Sequence, residues 1–422
     1  MFEAENRYTL THSISLKEMN TEKFYSKLGA SYEPGVLTTV VLAAEELKRQ
    51  GKKIIGLTGG MYDEESFPWR EVKTILDKAT EDDWKVMLQY GGTRGYQPLR
   101  EELSEWMKSH GINVDPYKEL LITTGSQEAL DLVSRVFLDK GDVIIVGSPT
   151  YLSALSAFET QEPDIREAEL DKDGMIPEAL ERTVKQVESE GKQVKLVYII
   201  PSFQNPTSSM MPIERRKKII ELAKKHDFLI LEDNPYGYIS FEGPMPIPLK
   251  GLDDENRVLY TSTFSKIVSP GMRIGWLCGH EEFIMKMTEA KSSTIISNPL
   301  ISQYAAAKLF EGGVVDEQIE KMKKVYRKKR DVMLESMDSY FPEKAEWNHP
   351  KGGLFLWVEL PESVNATELL MDAVNAGVAY IPGSNFYTSD THNHIRLNYS
   401  HPNVDDIVEG VKILGDLLKK QI

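Results

Sequence analysis

Cysteine is nearly absent from this 422-residue chain, in which Cys278 is the single example. One cysteine cannot form a disulfide within the chain, and a chain of this size without disulfides is typical of a reducing compartment. Long apolar runs are also lacking: residues 36–44 reach only about half of the roughly 20 residues that a membrane span requires. The first 20 residues mix charges and lack the apolar centre of an export signal. We therefore expect a cytoplasmic protein in which residues 36–44 form a packed helix.

Positive charge is in deficit as well. The chain has 50 Lys and Arg residues against 65 Asp and Glu residues, which gives a formal net charge of -15. Such a charge opposes binding to phosphate backbones and to anionic lipid, so neither nucleic acid nor a membrane is expected as a partner. Hydrophobic residues at 41% and charged residues at 27% are ordinary for a globular protein. The length allows two hydrophobic cores, and we expect two lobes.

Strand-like and helix-like segments alternate along most of the chain, which predicts a parallel sheet with helices on both faces. The predicted strands are Lys53–Leu57, Leu120–Thr123, Val143–Val146, Leu196–Ile200, Phe228–Leu231, Val258–Thr261 and Gly275–Cys278. Amphipathic helices are predicted between them, for example over 126–138 and 213–226. A long charged helix over 317–339 leads into a region of mixed strands and helices, which we interpret as a smaller lobe.

Polar residues follow the ends of several predicted strands. Ligands of open parallel sheets bind at the carboxyl edge of the strands, so these residues are considered together. Thr124-Gly125-Ser126-Gln127 opens a helix, where backbone N–H groups attract an anion such as phosphate, although such turns are also ordinary helix caps. Tyr151 follows the next strand and presents a ring that either stacks on a planar cofactor or only packs.

An amide and a carboxylate follow two further strands. Asn205 precedes Pro206, and its amide either hydrogen-bonds a ring substituent or belongs to a plain Asn-Pro turn. Asp233 ends an apolar run, where a carboxylate requires a cationic partner, and Tyr236 follows three residues later.

The segment TSTFSKIVSPGMRIGW carries the sharpest motif of the sequence. It places Thr263 and Ser265 beside Lys266, with Arg273 seven residues further on. A lysine amine forms an imine with an aldehyde once it has lost its proton, and burial or neighbouring cations favour that loss. The two hydroxyls and the guanidinium of Arg273 suit a phosphate, which would also meet the helix that starts at Ser126.

The strand ends together contain the parts of one pyridoxal phosphate site. A carboxylate at Asp233 would keep a pyridine nitrogen protonated, which makes the ring an effective electron sink. Near the end of the chain, Arg396 lies in the strand-like run HNHIRLNYS, where a charge is costly unless a carboxylate meets it. That carboxylate belongs either to a substrate or to a structural salt bridge.

These motifs resemble fold-type I pyridoxal phosphate enzymes, specifically class I aminotransferases of the branch that includes kynurenine and 2-aminoadipate aminotransferases. The resemblance is carried by LQYGGTRGYQPLR, TTGSQEALDL, PTYLSAL, NPTSS, LEDNPYGYISFEG, STFSKIVSPGMRIGW and IRLNYS. It implies an α/β fold with a large cofactor-binding domain over 61–315, built on a mostly parallel central sheet flanked by helices. A smaller α+β domain would combine the N-terminal arm and segment, 1–60, with the C-terminal region, 316–422.

The resemblance also implies a role for each matching residue. Lys266 would carry the cofactor and shuttle the α-proton, while Asp233 would pair with the pyridine nitrogen. The implied phosphate ligands are Ser126, Gln127, Thr263, Ser265 and Arg273, and the implied ring contacts are Tyr151, Asn205 and Tyr236. Substrate would be held by Arg396, Asn205 and Gly60, and Tyr90 would reach the cofactor of the other subunit in a homodimer. No metal is implied.

The implied reaction is transamination between an L-amino acid and 2-oxoglutarate, with ping-pong kinetics. Relatives often carry Gly-Gly-x-Pro ahead of a Phe-Pro pair, whereas this chain reads Gly59-Gly60-Met61-Tyr62 before Phe67-Pro68, and Tyr62 is expected to reshape the pocket mouth. Relatives that prefer acidic substrates can supply a basic residue from the N-terminal helix, but Val36-Leu37-Thr38 offers none. We therefore expect aromatic or large apolar donors, with 2-aminoadipate or another acidic donor as the alternative.

Two other functions compete with this interpretation. The same lysine, aspartate and arginine would serve another pyridoxal phosphate reaction such as β-elimination or decarboxylation, because the cofactor supplies the electron sink in each case. The second competing function is that of a regulatory protein with an aminotransferase-like domain. Such a protein would need a basic DNA-binding segment, which this acidic sequence does not show.

Overall fold

The structure, a computed structural model, describes residues 21–32, 49–389 and 391–422, and the single positions 35, 38, 40, 42 and 46. The chain divides into two units, Met1–Gly35 and Val36–Ile422. In the first unit a 3-10 helix at Glu22–Phe24 precedes a short helix at Lys27–Ser31. The predicted helix at 36–44 falls largely outside the described residues, as do Val36 and Leu37.

The second unit contains a large central sheet. The strands of this unit are β1 (Ile55–Gly56), β2 (Leu120–Thr123), β3 (Val143–Ser148), β4 (Asp164–Asp171), β5 (Gly174–Met175), β6 (Val194–Ile199), β7 (Leu229–Asp233), β8 (Val258–Thr263), β9 (Gly275–Cys278), β10 (Glu346–Trp347), β11 (Phe355–Glu359), β12 (Val378–Ala379), β13 (Ile381–Pro382) and β14 (His394–Asn398). Eight of them form a sheet in the order β2-β9-β8-β7-β6-β3-β4-β5. Neighbours from β8 to β4 pair in parallel, whereas β9 is antiparallel to both β8 and β2. The predicted α/β fold with a mostly parallel central sheet is confirmed.

Helices cover both faces of this sheet. The longer helices of the described chain, including those of the C-terminal region, are Trp69–Asp77, Glu81–Met87, Gln97–Ser109, Ser126–Phe137, Leu152–Glu159, Pro177–Ser189, Ile213–His226, Glu281–Ser292, Leu300–Glu311, Val314–Tyr340, Ala366–Ala376 and Val404–Leu418. Alternate residues of β3 point to opposite faces, so Ile144 packs in the apolar cluster with the helix Ser126–Phe137 and Ile145 packs with the helix Ile213–His226. None of the helices in the described ranges has the length and apolar character needed to cross a bilayer.

A second, antiparallel sheet follows the long helix Val314–Tyr340. Its strands lie in the order β10-β11-β14-β13, and Trp357 of β11 pairs with Arg396 of β14. The short strand β1 pairs in parallel with β12, so residues 55–56 join the C-terminal region. The predicted long helix is confirmed with slightly wider bounds, and the domain limits at 60 and 315 stay a prediction.

Two details of the central sheet differ from the predictions. The strand predicted at Phe228–Leu231 is β7, which extends to Asp233, so that this carboxylate ends the strand rather than following it. The strand β4 was not predicted because its sequence, DIREAELD, is polar, although its residues 164–169 pair with β3.

Candidate active site

The segments that follow several strands meet at one edge of the central sheet. The strands β2, β3, β6, β7 and β8 all end at this edge, where the antiparallel β9 begins, since Gly275 pairs with both Thr123 and Thr263. The structure thereby brings Ser126, Asn205, Asp233, Lys266 and Arg273 to the same edge, as expected for a ligand site of a parallel sheet.

Lys266 ends a 3-10 turn, Phe264–Lys266, that follows directly from β8. Its ammonium group donates a hydrogen bond to the carbonyl oxygen of Gly60 at 2.5 Å. Burial lowers the pKa of Lys266 to about 8, and the positive charges of Arg396 and Arg273 act in the same direction. A lowered pKa provides the unprotonated amine that attacks a carbonyl group.

Gly60 lies so close to Phe355 and Lys266 that a larger residue there would force their side chains to shift. A Cβ atom on Gly60 would lie 2.9 Å from Cζ of Phe355 and 3.3 Å from Nζ of Lys266. The absence of a side chain therefore keeps the space in front of the amine open.

Asp233 is a buried carboxylate with one oxygen unsatisfied. The residue is 1% exposed, and its Oδ2 accepts a hydrogen bond from the Tyr198 hydroxyl at 2.8 Å. Its Oδ1 has no hydrogen-bond partner in the described part of the chain. Burial raises the pKa of Asp233 to about 7, although the bond from Tyr198 opposes this change. A buried acceptor of this kind fits the protonated ring nitrogen of pyridoxal phosphate.

A chain of polar contacts leads from Tyr236 to Arg396. The amide of Asn205 lies 3.4 Å from the Tyr236 hydroxyl, and its Oδ1 accepts a hydrogen bond from Nη1 of Arg396 at 2.9 Å. The other terminal nitrogen of Arg396 donates to the carbonyl oxygen of Thr58 at 2.6 Å. Asn205 therefore contacts both the candidate ring ligand and the candidate substrate ligand.

Arg396 is held between two aromatic rings. Its guanidinium carbon lies 4.2 Å from the ring centre of Phe355 and 5.0 Å from that of Phe386. The residue is 3% exposed, its Nε has no hydrogen-bond partner, and no carboxylate of the described residues forms an ion pair with it. Burial lowers the pKa of Arg396 to about 10. A buried guanidinium without its own carboxylate is suited to bind one from a ligand.

The turn between β2 and the next helix forms a cradle for an anion. Gly125 has φ of 77°, and a Cβ atom there would lie 2.7 Å from Nη2 of Arg273. That nitrogen donates to the carbonyl oxygen of Thr124 at 2.7 Å. The helix starts at Ser126, so its free N–H groups lie beside the guanidinium of Arg273. Both features fit the phosphate of the cofactor.

Other predicted phosphate ligands have their side chains engaged within the protein. The Thr263 hydroxyl accepts from Ser265 N–H at 3.1 Å and lies 3.1 Å from the carbonyl oxygen of Ile274, so it supports the turn that carries Ser265. The amide of Gln127 donates to the carbonyl oxygen of Ser153 at 2.8 Å.

Two aromatic residues of the prediction, Tyr151 and Tyr90, differ in their placement. Tyr151 begins the helix Leu152–Glu159 and packs against the apolar cluster on one face of the sheet. Tyr90 is 81% exposed, and among the described residues no side-chain hydrogen bond or ring contact joins it to another candidate.

The expectation that Tyr62 reshapes the pocket mouth is wrong, because its side chain lies in the protein interior. Tyr62 is 2% exposed, its ring stacks on Phe67 with the ring centres 5.1 Å apart, and its hydroxyl accepts from Gln318 at 2.6 Å. The ring lies in the interior because the neighbouring Phe67 and the long helix provide it with an apolar contact and a hydrogen-bond partner.

Sequence reasoning missed Tyr198, Phe355 and Phe386. Tyr198 had a usable signal, since a tyrosine within the apolar strand LVYII needs a partner for its hydroxyl. The two phenylalanines had none, because apolar residues in the C-terminal sheet region are ordinary core residues until Arg396 is seen between them.

Comparisons with known proteins identify the family of the chain. Residues 52–413 match the sequence model of the family "Aminotransferase class I and II". The aromatic-amino-acid aminotransferase 1 of Thermococcus litoralis is 38% identical over 98% of both chains, and the 2-aminoadipate transaminase of Thermus thermophilus is 34% identical over 87% of this chain and 90% of its own. The crystal structure of Pyrococcus horikoshii kynurenine aminotransferase, in complex with PMP, matches with a TM-score of 0.91 and 40% identity over 96% of this chain and 98% of that one.

A lysine amine, a buried carboxylate and an anion cradle at a parallel sheet edge define a cofactor-dependent enzyme of the α/β class. The chain belongs to the class I and II aminotransferase family. Members of this family use pyridoxal phosphate, so the protein is a pyridoxal phosphate-dependent aminotransferase.

Proposed function

We propose that the enzyme transfers the amino group of an L-amino acid, preferably an aromatic or large apolar one, to 2-oxoglutarate by a ping-pong mechanism. The buried guanidinium of Arg396 carries this proposal, because it lies beside the Lys266 site and no carboxylate of the described residues pairs with it. Amino acids and 2-oxo acids both present an α-carboxylate, so one arginine serves both half-reactions. Bound pyridoxal phosphate supplies an aldehyde that joins amines and a ring that accepts an electron pair.

Five residues would hold the phosphate of the cofactor and its ring nitrogen. Ser126 and Arg273 would bind the phosphate directly at the anion cradle, and Ser265, held by Thr263, would add a hydroxyl. Asp233 would meet the ring nitrogen through its unsatisfied Oδ1. These groups are fixed by backbone and side-chain contacts, so the site is prepared before the cofactor arrives.

Three further residues would contact the cofactor and a fourth would assist. Asn205 and Tyr236, which lie 3.4 Å apart, would hydrogen-bond the ring oxygen, and Tyr151 would stack on the ring. Gln127 would support the helix that binds the phosphate, since its amide joins that helix to Ser153.

Lys266 would act at two stages. Its amine would hold the cofactor, and with a substrate amine in that place the freed Nζ would accept the α-proton and later return it. A pKa of about 8 suits both directions, because the group gains and loses a proton near neutral pH. The carbonyl oxygen of Gly60, 2.5 Å from Nζ, would orient the free amine between these stages.

Aromatic side chains near Arg396 support the donor preference. Phe355 stands edge-on to Tyr236 with ring centres 5.6 Å apart and also packs on the guanidinium, so the walls beside the carboxylate ligand are apolar. The Thermococcus litoralis relative bears the name of an aromatic-amino-acid enzyme, which points the same way. An acidic donor is the alternative, because the Thermus thermophilus relative is named for 2-aminoadipate.

A donor panel tests this proposal. With 2-oxoglutarate as acceptor, kcat/KM for phenylalanine, tyrosine, tryptophan and leucine should exceed that for aspartate, glutamate and 2-aminoadipate. The reverse order would contradict the donor preference but leave transamination intact. Parallel lines in double-reciprocal plots at several acceptor concentrations would support ping-pong kinetics. Ammonia release without an acceptor would instead indicate β-elimination.

We also propose a homodimer in which Tyr90 of each subunit completes the site of the other. The support is the exposure of large apolar side chains around it, since Leu88 is 73% exposed and Tyr90 81%. Mixing Tyr90→Ala subunits with Lys266→Ala subunits should restore part of the activity that each variant lacks, because one site of the mixed dimer is then intact.

We also propose a cytoplasmic location and the domain limits 1–60, 61–315 and 316–422. The pairing of β1 with β12 supports the domain limits, because it joins residues 55–56 to the C-terminal region.

A further inference from the structure

Lys291 is a buried lysine that the proposed mechanism does not use. It lies near the end of the helix Glu281–Ser292 and is 0% exposed. Its ammonium group donates to the carbonyl oxygen of Ile122 at 2.5 Å and to the side-chain oxygen of Asn298. The nearest carboxylate oxygen is Oε1 of Glu128, 4.0 Å away, which has no hydrogen-bond partner among the described residues.

Two of the residues that meet Lys291, Asn298 and Glu128, both hold Thr124, the residue that leads into the anion cradle. The side chain of Asn298 donates to the Thr124 hydroxyl, and the other oxygen of Glu128 accepts from the Thr124 N–H. The Thr124 carbonyl oxygen accepts from Arg273 at 2.7 Å. Every polar group of Thr124 is therefore fixed, two of them by residues that meet Lys291.

Burying the ammonium group of Lys291 costs free energy unless hydrogen-bond acceptors compensate for the lost water. Burial lowers the pKa of Lys291 to about 8, while the charge of Glu128 acts in the opposite direction. A buried ammonium group is tolerated only where acceptors surround it, and here those acceptors are tied to one turn. Without the lysine, the Asn298 oxygen and Glu128 would lose their cationic partner, and the Thr124 turn would be free to reorient.

We propose that Lys291 is a positioning residue for the cofactor phosphate, acting through Asn298 and Glu128 on the turn Thr124–Ser126. The proposal rests on the proposed role of Ser126 and Arg273 as phosphate ligands. Lys291 sets the direction of the N–H groups at the start of that helix and does not itself bind the cofactor. Its contribution is consequently confined to ligands that carry a phosphate.

The test compares two ligands on the full-length chain after removal of its cofactor. Wild type, Lys291→Met and the control Lys286→Met, an exposed lysine on the same helix, are titrated with pyridoxal phosphate and with pyridoxal, which lacks the phosphate. For Lys291→Met the dissociation constant of pyridoxal phosphate should rise roughly tenfold to a hundredfold, as for the loss of a charge-assisted hydrogen bond, with that of pyridoxal unchanged. Lys286→Met should match wild type with both ligands. Equal weakening of both ligands, or of neither, would overturn the proposal.

Two additional variants keep the result interpretable. If Lys291→Met does not fold, Asn298→Ala replaces it, because that variant removes the link to Thr124 and retains the lysine. Asn298→Ala should then lose affinity for pyridoxal phosphate but not for pyridoxal. An equal loss of affinity for both ligands rejects the proposal. Arg273→Met separates this inference from the phosphate site itself. A selective loss in Arg273→Met but not in Lys291→Met rejects the role of Lys291 alone, whereas no selective loss in Arg273→Met rejects the phosphate site and the inference with it.

Discussion

The proposed pairing of Asp233 with the cofactor leads to a quantitative prediction for Asp233→Asn. The asparagine has nearly the same shape and keeps an oxygen for the Tyr198 hydroxyl, which lies 2.8 Å from the carboxylate. It removes the negative charge, however, and with it the group that would keep the ring nitrogen of the cofactor protonated. The substitution therefore isolates the charge from the packing.

The pKa of Asp233 gives the magnitude of the effect. Burial raises it from an ordinary value of 3.8 to about 7. Each pH unit corresponds to about 1.4 kcal/mol, so the ionised carboxylate is disfavoured in the cofactor-free pocket by about 4 kcal/mol. A cationic ring nitrogen that returned the pKa of Asp233 to its ordinary value would contribute about that much. If this interaction is fully used in the transition state, its loss lowers kcat/KM about a thousandfold.

The assay is steady-state transamination by Asp233→Asn reconstituted with pyridoxal phosphate, with cofactor content measured for each sample. Tyr198→Phe is the matched control, since it keeps the charge and removes one hydrogen bond to the carboxylate. That bond is worth about 2 kcal/mol, so the control should lose roughly thirtyfold and remain clearly more active than Asp233→Asn. An Asp233→Asn enzyme with full cofactor content and kcat/KM within about tenfold of wild type would refute the reasoning.

Further predictions concern pH, the substrate ligand and the glycine at the amine. Asp233 has a folded-state pKa of about 7 against 3.8 unfolded, so the folded cofactor-free protein holds the extra proton and its stability falls from about pH 4 to about pH 7 relative to Asp233→Asn. Urea unfolding of both proteins across this range checks this, and a constant difference between them would contradict it. Arg396→Leu should lower kcat/KM about a hundredfold for amino acid and 2-oxo acid alike, with cofactor binding retained, because it removes the carboxylate ligand. A loss for only one substrate class would count against a shared arginine. Gly60→Ala should lower kcat because its Cβ atom would lie 2.9 Å from Phe355 and 3.3 Å from Lys266, and an unchanged kcat would show that this contact relaxes without effect.

Much of the fold and of the candidate site could be predicted from strand ends. Buried parallel strands are short apolar runs, and the residues after them must converge because all such strands end at one edge. Lys266, Asp233 and Asn205 stand out because each lies within a few residues of the end of a predicted strand. The helix Ile213–His226 could be placed for a similar reason, since its apolar residues repeat at helical spacing.

The remaining features depend on contacts between distant parts of the chain. The partners of Arg396 come from residues 58, 205, 355 and 386, and no local pattern links these positions. Tyr62 was placed at the pocket mouth because its bulk was visible in the sequence, whereas its partner Gln318 lies 256 positions away. The strand β4 escaped detection because pairing with β3, rather than an apolar run, makes it a strand.

The central claim is that Lys266 binds the cofactor and that the loaded enzyme exchanges amino groups. Its most direct test is the visible absorption spectrum of the purified protein, recorded before and after addition of an amino-acid mixture and again after 2-oxoglutarate, for wild type and for Lys266→Ala. The account predicts a cofactor band in wild type that shifts with amino acids and returns with 2-oxoglutarate, and no such cycle in Lys266→Ala. A wild-type protein without any band after incubation with pyridoxal phosphate, or a Lys266→Ala variant that completes the cycle as wild type does, would contradict it.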